Sequence, residues 1–135
     1  MRPSAIVEFG EAKLVIVQAT GLIGMQRSII TYQEAEKNKD EKNEAVKIFR
    51  SITYPDLVAP VTEAKGTIAI YDGEGKAQLV DLSKWPPTLE QVMAMPDELI
   101  YAWEQAVYQL NPHWNPANRV QNAEAQKKEP SSPGV

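Results

Sequence analysis

The residue types that most often carry catalysis or metal binding are scarce in this chain of 135 residues. It contains no cysteine, which excludes disulfides, thiolate zinc sites, iron–sulfur clusters and cysteine nucleophiles. His113 is the single histidine, and no Gly-x-Ser-x-Gly nucleophile motif is present for it to activate. It stands beside Trp114 just after a predicted helix end. There it can stack on the neighbouring ring and interact favourably with the negative end of the helix dipole, so a structural role explains this histidine more simply than a catalytic one. The sequence therefore predicts a protein without enzymatic activity, catalytic residues, cofactor or metal.

Two short patterns resemble ligand sites without meeting their requirements. Residues 21–24, Gly-Leu-Ile-Gly, follow a predicted strand and open a helix, but they lack the third glycine of a dinucleotide fingerprint and the Gly-Lys-Ser/Thr of a P-loop. Asp72, Glu74 and Asp81 lie around a predicted hairpin, but the twelve-residue pattern of a calcium-binding hand is missing. We interpret the first pattern as a strand-to-helix turn and the second as a solvated hairpin tip.

Charge and hydropathy limit the class of partner. The chain has 14 Lys/Arg and 18 Asp/Glu, a net charge of −4, so it lacks the basic footprint that drives binding to nucleic acid. Its apolar runs are short, as in Leu14–Val17, whereas a membrane span needs about 20 residues. The first residues carry no apolar segment typical of a secretory signal. We therefore expect a cytoplasmic protein that binds neither nucleic acid nor membrane.

The elements that must position any site begin with a β-hairpin. Residues 5–9 and 13–19 are rich in β-branched residues and flank Gly10, which is typical of two paired strands. Thr20 is a candidate N-cap for the helix that follows. That helix carries one apolar stripe, because four apolar residues recur at spacings of three and four. These residues are Leu22, Met25, Ile29 and Tyr32.

A second helix and a second hairpin are predicted next. The helix has a compact apolar face that we expect to enter the core, formed by Ala45, Ile48, Phe49 and Ile52. Asp40 is its candidate N-cap, and Pro55 should end or kink it. Residues 67–71 and 76–82 then alternate around Asp72-Gly73-Glu74-Gly75, which indicates a hairpin.

The C-terminal third is helical and then loses its pattern. Thr88 and Gln91 fit a capping box, and Pro96 suits the start of another helix. That helix has a strong apolar stripe formed by Leu99, Trp103, Ala106, Val107 and Leu110. No apolar face exists beyond Trp114. The sequence thus predicts one α+β domain over residues 1–114, with two β-hairpins, about four helices and a helical half at 85–114, followed by a disordered tail at 115–135.

All three tryptophans and two of the five tyrosines lie between residues 85 and 114. One interpretation is a helical core sealed by tryptophans, and the other is a protein-binding face, since Trp and Tyr dominate interface hot spots. Tyr101, Glu104 and Tyr108 lie together on the flank of the predicted helix, beside its core stripe. With Trp114, these three residues are the candidate contact residues for a protein partner.

The same region resembles a known protein family. Residues 85–100, Trp103 and residues 106–114 are similar to the C-terminal half of small tail assembly chaperones of long-tailed bacteriophages and prophages. Residues 50–57 also resemble the middle of some members. The resemblance implies a non-enzymatic protein in the host cytoplasm, which coats the long tape-measure protein and presents it to tail-tube subunits. It assigns no binding residues.

Other functions stay open at this point. The chain could be a structural phage tail or connector component, a small ligand-binding domain or an enzyme, or an α+β interaction module of another kind. An enzyme should show a cleft with convergent polar groups. An assembly adaptor should show an exposed apolar groove instead.

Overall fold

A three-stranded antiparallel sheet forms one side of the fold in the computed structural model, which describes residues 2–118. Its strands are β1 (Ser4–Phe9), β2 (Ala12–Val17) and β3 (Val61–Lys65), in the order β1-β2-β3. The predicted first hairpin is confirmed, and Gly10 takes the positive φ of +58° that its tight turn requires. β3 was not predicted, because its sequence VTEAK lacks an apolar alternation. Pairing with β2 creates this strand, with a bulge between Val15 and Ile16.

The second predicted hairpin is also confirmed, as β4 (Thr67–Tyr71) paired with β5 (Ala77–Asp81). Its inner face buries Ile68, Ile70 and Val80. Gly66 joins β3 to β4 with φ +90°, and a Cβ there would lie 2.8 Å from the Cα of Ala12 and collide with the carbonyl oxygen of Glu11. The junction between the two sheets therefore requires glycine.

Three helical segments connect β2 to β3. They are α1 (Gly21–Asn38), α2 (Glu44–Ile48) and α3 (Tyr54–Val58), with a π-helical turn at Phe49–Thr53 between the last two. Thr20 caps α1 as predicted, accepting the N–H of Ile23 at 3.3 Å. The helix ends at Asn38, and its buried residues are Ile23 and Glu34.

The prediction for the second helix is wrong in two respects. Asn43, not Asp40, is the N-cap, and its side chain accepts the N–H groups of Ala45 and Val46. Ala45 and Ile48 are exposed, while Phe49 and Ile52 are partly buried and Phe49 packs against the core, so only half of the expected face contributes to it. The regular helix is interrupted before Pro55 by the π turn, whose wider path accommodates a proline ring that would clash with the carbonyl of a regular α-helix.

The C-terminal helices follow the sequence pattern closely. They are α4 (Leu89–Met93), α5 (Asp97–Leu110) and a short 3-10 helix (Pro112–Trp114). The capping box of Thr88 and Gln91 is present, and α5 buries Leu99, Trp103, Ala106 and Val107 as predicted. Within residues 2–118, no helix has the length and apolar character needed to cross a membrane.

One hydrophobic cluster joins both sheets to the helices, reaching from Val7 to Trp114. At its centre the Trp103 ring is fully buried, and its Nε1–H donates to the carbonyl of Leu57 at 3.0 Å. Asn111 is also fully buried and ties the end of α5 to the end of β2, since its Oδ1 accepts the N–H of Ala19 at 2.8 Å. The α+β class is thereby confirmed. The predicted start of the disordered tail at residue 115 is wrong, because residues 115–118 are hydrogen-bonded and Asn118 Nδ2 donates to the carbonyl of Pro112 at 2.9 Å. Residues 119–135 lie outside the described residues.

Candidate protein-binding surface

The four predicted contact residues do not share one exposed face. Tyr101 is 65% exposed, while Glu104 and Tyr108 are partly buried. Trp114 is only 4% exposed, which removes its ring from any outward-facing contact surface. The 3-10 helix after α5 turns this ring inward, where the guanidinium of Arg27 lies 4.4 Å from its centroid. Of the predicted set, Tyr101 is thus the most exposed.

Tyr108 belongs to a polar cluster that connects three helices. Its hydroxyl donates to Asp56 Oδ2 at 2.8 Å, and Arg27 Nε donates to the other oxygen of that carboxylate at 2.5 Å. Asp56 is fully buried, so these donors compensate a charge that would otherwise be costly to desolvate. Because α1, α3 and α5 each supply one of these residues, the cluster fixes the relative positions of the helices.

Glu104 lies close to this cluster and has a perturbed acidity. Burial raises the pKa of Glu104 above its ordinary value, and the negative charges of Asp56 and Asp97 raise it further. The protonated form of Glu104 is therefore favoured relative to a solvated glutamate.

The residues considered for metal or nucleotide binding have local structural roles. Asp72 Oδ1 accepts the N–H groups of Glu74 and Lys76, each at 2.9 Å, and so closes the tip of the second hairpin. Asp81 Oδ1 accepts from the hydroxyl and the N–H of Ser83, and these bonds lower the pKa of Asp81. Over residues 2–118 no group of three or more acidic or histidine side chains is placed to hold a metal ion. The Gly21–Gly24 segment is the first turn of α1.

The apolar stripe of α1 faces solvent. Its four residues, Leu22, Met25, Ile29 and Tyr32, are between 49% and 79% exposed. At 3.6 residues per turn, the centre of this stripe lies about 150° around the helix from the buried side of α1, which contains Ile23 and Glu34. An apolar stripe on a surface helix normally faces the core. We refer to these four residues as the α1 stripe.

An apolar groove adjoins the α1 stripe. It has a volume of about 330 Å³ and lies between α1, the end of α3, the start of β3 and the segment before α4. Its lining residues are Gln26, Ile29, Ile30, Val58, Ala59, Val61, Trp85 and Pro86. Ile29 belongs both to this groove and to the stripe, so the two form one continuous apolar surface. We call this cavity the α1 groove.

One wall of the α1 groove rests directly on the core. The Trp85 ring lies 6.0 Å from the Trp103 ring, centroid to centroid, at an angle of 49°. Trp103 is held in turn by its hydrogen bond to Leu57. Packing against the core therefore makes this wall rigid, and a pre-organised groove loses less conformational entropy when a ligand binds.

Searches of protein-family models, of curated proteins and of solved structures find no match to this chain.

The α1 groove was missed by the sequence reasoning, although part of its signal was visible. The stripe spacing on α1 was recognised, but spacing does not show which way a stripe faces. A second signal was the composition around it, because residues 21–33 contain a single charged residue, Arg27. A helix that only meets water usually carries charges on its outer face. Val58, Val61 and Trp85 could not be grouped with α1 from the sequence, since only the tertiary fold brings them together.

Proposed function

We propose that this protein is a non-enzymatic assembly chaperone of the phage-tail type, which holds an apolar-rich segment of a tape-measure protein until tail-tube subunits displace it. The observation that supports the proposal is the α1 groove with its adjoining stripe. An adaptor requires such an exposed apolar surface, whereas an enzyme requires a cleft lined with convergent polar groups. The resemblance of residues 85–114 to tail assembly chaperones supplies the identity of the partner and the cytoplasmic setting.

The chemistry of the surface fits a protein partner. Core regions of protein interfaces are depleted in charge and enriched in Met and aromatic residues. The α1 stripe contributes Met25 and Tyr32, and the groove contributes Trp85. Gln26, on the rim of the groove, can both donate and accept hydrogen bonds to a partner backbone. Apolar side chains of the client would enter the groove while its backbone lies along this rim.

Binding of the client must be reversible because tube subunits have to replace the chaperone. A micromolar dissociation constant, about −8 kcal/mol, would allow exchange while still protecting the client. The groove is open and of moderate size, which favours a few apolar contacts per site over deep enclosure of one ligand. Several chaperone molecules could then cover a long client with weak, similar contacts.

A binding experiment with the tape-measure protein of the same genome tests this function. Ala59→Phe is the informative variant, because Ala59 is half-buried and lines the groove, so the new ring fills the cavity rather than the core. We expect it to weaken binding at least about tenfold, an energy loss of about 1.4 kcal/mol. Circular dichroism and thermal unfolding must show that the variant remains folded.

Tyr101→Ala is the matched control, since it removes an exposed aromatic residue from α5 and leaves the groove unchanged. Retained binding by this control, together with weakened binding by Ala59→Phe, would support a site in the groove. If Ala59→Phe binds normally and a folded Tyr101→Ala/Tyr108→Ala variant does not, the contact surface lies on α5 as the sequence first indicated. Failure of the wild type to bind the tape-measure protein would refute the chaperone function itself.

A further inference from the structure

We infer that the α1 stripe pairs with the α1 stripe of a second copy of this chain, as an antiparallel two-helix seam. This inference does not rest on the proposed function, but a second copy and a client would compete for the stripe, because Ile29 belongs to both surfaces. It rests on the spacing of the stripe, on the residues that flank it and on the charges at its two ends.

The spacing of the stripe is that of a coiled-coil seam. Leu22, Met25, Ile29 and Tyr32 follow one another at intervals of three, four and three residues, which are the a and d positions of two heptads. The seam spans about 15 Å of α1, at 1.5 Å per residue. All four residues are exposed, so the seam is available to another helix. A helix with the same spacing is therefore a partner that fits this seam.

The same spacing is symmetric about Arg27, and this symmetry allows one copy to meet another. In an antiparallel pair related by a two-fold axis near residue 27, Leu22 faces Tyr32 of the other copy and Met25 faces its Ile29. Eight apolar side chains then leave water, four from each copy. An isologous contact of this kind closes on itself as a dimer.

The flanks of the seam carry no charge. Positions e are Gln26 and Gln33, and positions g are Ser28 and Ala35. Charged e and g residues normally select a partner of complementary sequence, and in an antiparallel self-pair they would place like charges together. Neutral flanks allow a second copy without that repulsion, and they offer a foreign helix no charge to recognise. This favours self-association over a different helical partner.

In the antiparallel pair, Glu36 of one copy lies near the first turn of α1 in the other. The first turn of α1 contains no acidic residue, so the positive end of its dipole lacks a neighbouring anion on its own helix. Glu36, the next a position, is exposed and forms an ion pair with Lys39 at 2.9 Å. By the symmetry of the pair, it lies beyond the last apolar pair, at the level of the segment that precedes α1 in the other copy. Its side chain leans toward its own N-terminus, which here means toward the first turn of the other α1.

Sedimentation equilibrium of the full chain tests the inference. We expect twice the monomer mass of 15.0 kDa at tens of micromolar protein. Met25→Glu/Ile29→Glu should raise the dimer dissociation constant at least about 100-fold, because it buries charge in the seam. The control is Leu79→Glu, which changes a residue that is 72% exposed on β5. A monomeric wild type at ~100 µM, or a dimer that survives the double substitution, would overturn the inference.

Cross-linking determines the orientation, and the absence of native cysteine makes this direct. An oxidised mixture of the Leu22→Cys and Tyr32→Cys variants should yield the mixed disulfide. Tyr32→Cys alone should remain uncross-linked, because its counterpart lies at the far end of the antiparallel seam. Efficient cross-linking of Tyr32→Cys with itself would show a parallel pair and contradict the proposed arrangement. A dimer that forms neither cross-link would place the interface away from α1.

Discussion

Replacing Trp103 should reveal how strongly the core supports the fold and the groove. The ring is fully buried, and burying a tryptophan side chain removes on the order of 150–250 Å² from water. Truncation of such a residue to alanine costs about 3–5 kcal/mol. The carbonyl of Leu57 also loses its donor, which adds about 1 kcal/mol. We therefore expect Trp103→Ala to lie at the upper end of this range.

Urea unfolding followed by far-UV circular dichroism measures this effect. With a slope of about 1.5 kcal/mol/M, a loss of about 5 kcal/mol lowers the midpoint by about 3 M while the slope stays constant. Protein concentration must be held fixed, since self-association would add to the apparent stability. The total free energy of unfolding of a protein is only about 5–15 kcal/mol, so Trp103→Ala can lose most of it and fail to fold. Trp103→Phe is therefore needed as a milder variant.

Trp103→Phe keeps a ring beside Trp85 but loses the hydrogen bond to Leu57. We expect this variant to lose about 1–2 kcal/mol. A change below about 1 kcal/mol for Trp103→Ala would refute the reasoning, because it would mean that the ring is not part of the packed core.

Three further predictions concern the junction, the acidic flank and the C-terminal segment. Gly66→Ala should lose more than about 2 kcal/mol in urea unfolding because of its positive φ and its crowded surroundings, while Gly73→Ala, with open space around it, should change little. Glu104→Gln should raise the melting temperature at pH 7. The pKa of Glu104 is raised in the folded state, so the stability of the wild type falls as pH rises from the unfolded pKa through the folded pKa. Below about pH 4 the carboxyl is protonated in both states, and the variant should lose its advantage in melting temperature. An equal advantage at pH 7 and below about pH 4 would contradict this. Truncation after Asn118 should leave the melting temperature within a few degrees, since residues 119–135 lack apolar periodicity, and a collapse of the fold would show that they are required.

The sequence by itself determined the elements whose signals are local. Both hairpins follow from alternating apolar residues around glycine-containing turns. The caps of α1 and α4 follow from Thr20 and from the Thr88–Gln91 pair, because capping bonds span only three residues. The core face of α5 follows from a stripe that is strongly apolar over three turns. In each case the contacts that determine the element are between residues close together in the sequence.

Only the tertiary structure decided which apolar surfaces are buried. Asp56 meets Arg27 and Tyr108, which are 29 and 52 residues away in sequence, so no local pattern could show that Tyr108 is bound or that Trp114 is enclosed. The segment of β3 becomes a strand because its backbone pairs with the edge of β2. The side of α1 that packs inward is mixed, since it contains Glu34 as well as Ile23, and this leaves the more apolar stripe facing outward. A helix buries the side that its neighbours cover, and that coverage is set by contacts between distant parts of the chain.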